Sequence, residues 1–546
     1  MSGVMLMLVT FLLFILAYIF YGGWLAKQWG LNPQGKTPAH EFYDGVDYVP
    51  AKAPVLLGHH FASIAGAGPI NGPVLAAVFG WLPVTLWIVV GNIFMGAPHD
   101  FGSLMASIRH KGLSIGGVIE VNVGKGAKRL FLLFSWLTLV LIIAAFANIV
   151  ADTFVSTPQA ATSSLLFIPL AMAFGFAIYR RNAPLLISTI VGVAILALCI
   201  WLGVLFPLAL SKTAWLIILS IYIIAASILP VWILLQPRDY LNSFLLYAMI
   251  IGGFLGVILY HPTISMPAVT AFKHPTQGYL FPMLFITIAC GAISGFHSLV
   301  ASGTTAKQLD REGDAKIIGY GGMLIEGALA ILATITAVYL TADGYAELLK
   351  GGPVNVFSTG LATFMTSFGV DATTGKTFTA LAVSAFALTT LDTAGRLGRF
   401  AFQEFFQEAV STEVAEKKAA PSTTSFFANR YVASVITIGL SVYLAFTSWQ
   451  VIWPMFGSAN QLLAAVALLA VATWLANRGM NNKMLIAPMI FMFIVTLTAL
   501  GFLMQSNVAK GNYALVSFAA LLFVLAIVLI VLSYNVLTGK NKKQQA

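Results

Sequence analysis

Charge is what this sequence has least of. Of its 546 residues only 9% are Asp, Glu, Lys or Arg, against about a quarter in an ordinary soluble protein. With 59% of the chain hydrophobic, a water-soluble fold is excluded. Cysteine is almost missing too. Cys199 and Cys290 both fall in apolar runs, which argues against a disulfide framework or a CxxC metal site and makes them core residues. No GxxxxGK[ST] string occurs, so ATP-driven transport by this chain alone is not expected. HxxxH and HExxH spacings are also absent, and no metal site is assigned. The net charge of +10 is spread over short loops without a basic patch interleaved with aromatics, so it reads as membrane topology and not as affinity for nucleic acid.

What is present instead is a series of apolar runs near 20 residues, each long enough to cross about 30 Å of hydrocarbon as a helix. In lipid only helices or closed barrels satisfy their backbone groups, and runs without alternation select helices. Fifteen spans are expected, at 4–25, 55–79, 81–105, 128–151, 162–179, 184–207, 214–236, 243–261, 279–303, 317–341, 377–400, 430–447, 449–476, 484–504 and 512–537. The first lacks the flanks of a signal peptide and is expected to be retained. Odd-numbered loops and the tail "GKNKKQQA" hold 24 of the 29 basic residues; Lys212, Lys273, Lys350, Lys376 and Lys510 fall in the even loops. The positive-inside rule then puts the N-terminus outside and the C-terminus in the cytoplasm. No soluble domain is expected, and "EVAEKKAAPSTTS" (413–425) reads as a solvated cytoplasmic loop.

Two spans are interrupted. "GHHFASIAGAGPINGP" (58–73) carries two histidines, Pro69, Pro73 and three glycines between residues 66 and 72, which remove donors and weaken the helix. "CGAISGFHSLVASGTT" (290–305) repeats the device with three glycines, His297 and a run of hydroxyls. By the loop charges the two run in opposite directions, as an inverted repeat demands. Such a pair points to a transporter's midplane site, where half-helix N-termini hold anions and unwound carbonyls hold cations. The rival reading is that the glycines only permit close helix packing.

At these two stretches and at "LTTLDTAGRLGRF" (388–400) the sequence closely resembles the carbon starvation protein A family of bacterial membrane transporters. The resemblance also covers "DGVDYVP" (44–50), "LPVWILLQPRDYL" (229–241), "IGYGGMLIEG" (318–327) and "WPMFGSANQLLA" (453–464). It implies uptake of pyruvate or short peptides with protons, and distant kinship to the amino acid-polyamine-cation superfamily. The implied fold class is an all-α polytopic membrane protein with about fifteen transmembrane helices, a LeuT-like inverted repeat with extra helices. The repeats would begin near residues 55 and 279, leaving seven helices between starts where that fold has five. Two helices are therefore inserted, and the fourth and fifth core helices cannot be assigned from the sequence. Segment 1–54 is expected as a peripheral helix and cytoplasmic loop, 55–480 as the transporter core, and 481–546 as two peripheral helices and a tail. Family members often carry Gln where this chain has His99.

The expected substrate-binding residues are His60, Ser63, Gly66, Gly68, Pro69 and Asn71 at the first break, and Ser294, Gly295, His297 and Ser298 at the second. His59 and His60 are about 100° apart on a helix and face different ways. His60 and His297 read equally as a ligand or proton path and as structural histidines. Glu326, between Gly322 and Gly327, reads as a proton carrier or as a hydrogen-bonded structural carboxylate. In "ALTTLDTAGRLGRF" the resemblance sets Thr389, Thr390 and Asp392 opposite carbonyls near Ala65, a place suited to sodium or to a proton on the carboxylate. Asp100 is expected to cap or to pair with Arg109 or a neighbour, and Arg396 and Arg399 to be positive-inside anchors. No lysine or arginine is expected mid-span, so a substrate carboxylate would meet free N–H groups near Asn71 to Val74 and Ser298 to Ala301. The function expected is a secondary importer of a small carboxylate or short peptide in a bacterial inner membrane. Its coupling ion is a proton or sodium, and no cofactor and no enzymatic activity are expected. A metal-using membrane enzyme and a nutrient sensor are the rivals.

Overall fold

The computed structural model describes residues 2–45, 47–230, 233–275, 277–406, 426–446 and 449–537. The loop 413–425 and the tail beyond residue 538 lie outside the described residues. Among the described residues the chain is all-α apart from a two-residue antiparallel pairing of Lys273–His274 with Gly278–Tyr279.

The helices that build the bundle are α1 Gly3–Gln28, α2 Ala53–Ile64, α3 Gly68–Phe79, α4 Trp81–Arg109 and α5 Lys125–Ser156. They continue as α6 Pro158–Arg181, α7 Leu185–Leu205, α8 Lys212–Ile228 and α9 Leu235–Tyr260. After the loop come α10 Leu280–Thr287, α11 Gly295–Gly303, α12 Glu312–Val338, α13 Ala342–Leu349, α14 Pro353–Met365 and α15 Ala372–Phe406. The series closes with α16 Arg430–Ala445, α17 Trp449–Asn477, α18 Lys483–Ala509 and α19 Tyr513–Leu537. Among the described residues eleven helices are long and apolar enough to cross a membrane, or twelve when α2 and α3 count as one span bent by 43°. The remaining expected spans are helical but short or interrupted: α8 has 17 residues, α16 has 16, and α10 and α11 have 8 and 9. By length and composition, a count of fifteen spans is not established.

Helix packing resolves the repeat. The first half-helix α2 packs on α9, and α11 packs on α17; α3 packs on α12, and α4 packs on α11. Helices α5 and α15 pack along one another, as do the two short helices α8 and α16. These exchanged partnerships pair α2–α3 with α10–α11, α4 with α12, α5 with α15, α8 with α16 and α9 with α17. The inserted helices are α6 and α7, which pack as a hairpin against α9. The fourth and fifth core helices of the first repeat are therefore α8 and α9.

Burial follows the same division. The most apolar windows of α12, α15 and α17 are 94% buried, whereas those of α1, α7 and α19 are 33%, 22% and 28% buried. Apolar side chains at the periphery of the bundle, among them Phe20, Leu186 and Ile221, face outward, as a lipid-facing surface requires.

Candidate functional site at the two helix breaks

The first break spans Ala65 to Ala67. Ala65 leaves the helix at φ −80°, ψ 48°, the Gly66 N–H turns back to the Ile64 carbonyl at 2.9 Å, and Pro69 opens the next half-helix. The second break runs from Ile288 to Ser294, between α10 and α11. The two lie against each other. A Cβ on Gly68 would be 2.5 Å from Cys290 Sγ, and one on Gly66 would collide with Thr390 Oγ1 and lie 2.8 Å from the Phe146 ring. Glycine is needed at both positions for this approach. The packing-only reading thus holds for part of these glycines' role, but the backbone is broken as well as close.

Side-chain amides satisfy the carbonyls that the second break sets free. Gln461 Nε2 lies 3.0–3.3 Å from the carbonyl oxygens of Phe285, Ile288, Ala289 and Ile293, and its two N–H groups are shared among them. Asn92 Nδ2 donates to Gly291 and Met323 carbonyls at 3.3 and 2.9 Å. Asn460 Oδ1 accepts from the Phe296 N–H at 2.9 Å, and its Nδ2 donates to Ser294 Oγ at 3.0 Å. In a low-dielectric interior such groups must be met by protein, ligand or water. The half-helices begin at Gly68 and Gly295; Pro69 has no N–H, and those of Ile70, Phe296 and His297 are bonded to the Ala67 carbonyl, Asn460 Oδ1 and the Ser294 carbonyl, which leaves the N–H groups of Gly68 and Gly295 as first-turn donors. The expected free N–H groups at Asn71–Val74 and Ser298–Ala301 lie further inside the helices. The Asn71 N–H is bonded to the Ala67 carbonyl at 2.9 Å.

Two buried ionisable networks flank the breaks. In the first, Asp100 lies between His99 Nδ1 at 2.7 Å and His297 Nδ1 at 2.9 Å. The other ring nitrogen of His297 is 3.5 Å from Glu326 Oε2. All four side chains are fully buried, and neither Glu326 oxygen has a hydrogen-bond partner in the protein. His60 Nδ1 is 2.8 Å from Thr305 Oγ1, while His59 Nδ1 is 3.1 Å from Asp239 Oδ2, so the adjacent histidines do face different ways. The Ser63 hydroxyl, Asn71 Oδ1 and His60 Nε2 are buried without a protein partner; Ser298 instead donates to the Gly295 carbonyl at 2.7 Å. Among the described residues no three His, Cys, Asp or Glu side chains form a set that would hold a metal ion.

The second network sits at the hydroxyl cluster. Asp392 Oδ2 accepts from the Tyr222 hydroxyl at 2.6 Å and from Arg238 Nη1. The guanidinium also donates to Thr389 Oγ1 at 3.1 Å and to Asp239 Oδ1 at 3.4 Å. Thr390 Oγ1 donates to the Ser63 carbonyl at 3.2 Å, which places this cluster beside the first break. An arginine is therefore buried in the bundle, contrary to the expectation of none. Helix α9 begins at Leu235, eight residues before the expected span, and carries Arg238 inward in its first turn.

The structure also gives the surroundings of three other arginines. Arg109 pairs with Glu312 at 2.7 Å, so of the partners expected for Asp100 it is the neighbour, His99, and not Arg109 that meets it. Arg396 and Arg399 are buried at 5% and 7% exposure. Arg396 donates to the Ala226 carbonyl at 3.0 Å and to that of Leu229, at the C-terminal end of α8 where a cation is favoured.

Cavities open at opposite ends of the bundle. One, of about 400 Å³, reaches Asn71 and is lined by Lys212, Lys350 and Lys376. The other, of about 520 Å³, reaches Leu299 and Gly303 and is lined by Lys307, Arg399 and Arg430. The sequence had placed the first three lysines on one side of the membrane and the latter three cations on the other.

A family profile described as carbon starvation protein CstA matches residues 2–351 and 346–499. The chain belongs to this family. It is 33% identical over 558 aligned positions to the peptide transporter CstA of Escherichia coli K12, covering 89% of this chain and 79% of that one. It is 31% identical to the pyruvate/proton symporter BtsT of the same organism, covering 92% and 81%. Its fold is similar to the crystal structure of a manganese transporter from Eremococcus coleocola, with a TM-score of 0.50, 12% identity and coverage of 90% and 99%. That likeness bears on the fold alone, a LeuT-type arrangement. The chain is thus a multi-pass membrane transporter of the CstA family.

The sequence reading missed Arg238, Tyr222, Asp239, Asn460, Gln461 and Asn92. A signal existed for most of them, since a polar side chain inside an apolar span costs free energy and must find a partner.

Proposed function

We propose that this chain is a proton-coupled secondary importer of a small carboxylate such as pyruvate, or of a short peptide, in a bacterial inner membrane. Its N-terminus lies outside and its C-terminus in the cytoplasm. Transport is by alternating access between the two opposed cavities, with residues 55–480 as the moving core and 1–54 and 481–546 as peripheral elements. The substrate's carboxylate sits at the half-helix N-termini, held by the N–H groups of Gly68 and Gly295, with His60, Ser63, Asn71, Ser294 and His297 around it. No cofactor is required.

The observation that supports protons over sodium is the position of Arg238. Thr389, Asp392 and the carbonyls near Ala65 are the oxygen groups that would ligate a hard cation. The guanidinium already occupies that cluster, donating to Thr389 and to Asp392. Arginine is permanently charged, so the protein supplies its own cation there and a second would be repelled. Coupling then falls to the other network, where Glu326, His297 and Asp100 adjoin both breaks.

The test of substrate class is counterflow into proteoliposomes preloaded with a panel of keto acids, amino acids and dipeptides. Exchange of carboxylates or dipeptides is expected. Exchange of neither class, or stoichiometric metal in the purified protein, would contradict the proposal.

A further inference from the structure

Only five basic residues were placed on the outer side by the loop charges, and three of them, Lys212, Lys350 and Lys376, converge on the cavity that reaches Asn71. They come from three separate elements: the start of α8, the turn between α13 and α14, and the first turns of α15. The cavity's carboxylate, Asp152, is engaged with Lys212 at 2.9 Å, and Lys350 is paired with Glu347, so Lys376 is the uncompensated cation of the three. Lys376 is exposed and has no ion pair among the described residues. The N-terminus of the 13-residue helix α14 opens onto the same space through Gly352 and Pro353, adding its partial positive charge. At the floor, Asn71 presents a buried Oδ1 without a protein partner and belongs to the half-helix that leads to the first break.

From this convergence we propose that the outer cavity is a recruitment site for a carboxylate anion, which waits on Lys376 and its neighbours before passing Asn71 to the helix breaks. Clefts with an excess of one sign of charge raise the local concentration of oppositely charged solute and hasten its capture, and salt weakens the effect. The site rests on the reading above that the transported solute carries a carboxylate. It differs from the central site in place and role, since it acts on capture and not on translocation.

The experiment measures initial uptake against solute concentration in oriented vesicles, with the solute identified by counterflow. Lys376→Gln is expected to raise KM by about tenfold with Vmax held, and to flatten the rise of KM with ionic strength. Asp152→Asn adds a positive charge to the same cavity and is expected to lower KM. Lys510→Gln removes the same charge outside the cavity lining and serves as the control. The proposal is overturned if Lys376→Gln and Lys510→Gln behave alike, or if Asp152→Asn raises KM in protein of unchanged thermal stability. Were the solute to prove uncharged in counterflow, the functional reading would fail first. A carboxylate solute with KM indifferent to all three variants would overturn the recruitment site alone.

Discussion

Arg238 on α9 and Asp392 on α15 form a buried ion pair, and the Tyr222 hydroxyl donates to the same carboxylate oxygen at 2.6 Å. The pair joins the fifth core helix of the first repeat to the third of the second. Removing one partner leaves the other charge buried and uncompensated, at a cost of about 3–5 kcal/mol. Arg238→Met and Asp392→Leu are each expected to lower the thermal unfolding midpoint of the purified protein, and the double variant to recover most of the loss. A double variant no more stable than either single one would show that the pair's partners act independently.

Glu326 is expected to carry the proton. Glu326→Gln keeps the shape and removes the titration. Accumulation driven by a pH gradient should fall to equilibration, an inside-to-outside ratio of about 1, while exchange of substrate across the membrane persists. Undiminished accumulation in this variant would remove Glu326 from the coupling path.

The apposition of the breaks makes a contact prediction. Gly68→Ala sets its new Cβ 2.5 Å from Cys290 Sγ, an overpacking worth about 1–3 kcal/mol. Uptake should fall by at least about tenfold, on the strength of the same close packing. Cys290→Gly in the same chain should restore part of it by making room. If rescue fails while the protein remains inserted, the closeness of the two breaks is not what limits Gly68.

Topology can be read by labelling. The two native cysteines are buried, so the background is low. Cysteines at Lys273 and Lys510, both exposed, should react with an impermeant maleimide from outside. Cysteines at Arg311 and Arg478, also exposed, should react only after the membrane is opened. The reverse pattern would invert the assignment.

The fold was legible because long apolar runs and loop charges report on lipid and on the translocation of charge, both of which act residue by residue. The breaks were legible for the same reason: Pro69, Pro73 and the glycines act locally. Which helices were inserted was not legible, because α6 and α7 are as apolar as the core helices and only their packing sets them apart. The partner of Asp392 was hidden by the helix start. Arg238 follows Pro237, as a loop residue would, and its inward turn depends on Thr389, Asp239 and Asp392 meeting it from elsewhere in the chain. Asn460 and Gln461 stood in plain view as adjacent amides in an apolar span, but the backbone N–H and carbonyl groups they satisfy lie 164 and 172 residues away.

The account turns on Arg238 holding the place of a coupling cation, and uptake into proteoliposomes under imposed gradients tests that most directly. With sodium absent from both sides, an inward pH gradient should concentrate the carboxylate substrate. With pH equal on both sides, an inward sodium gradient should leave it at equilibrium. Uptake that requires sodium at fixed pH, and that ignores the pH gradient, would contradict the account and return Thr389, Thr390 and Asp392 to the role of an ion site.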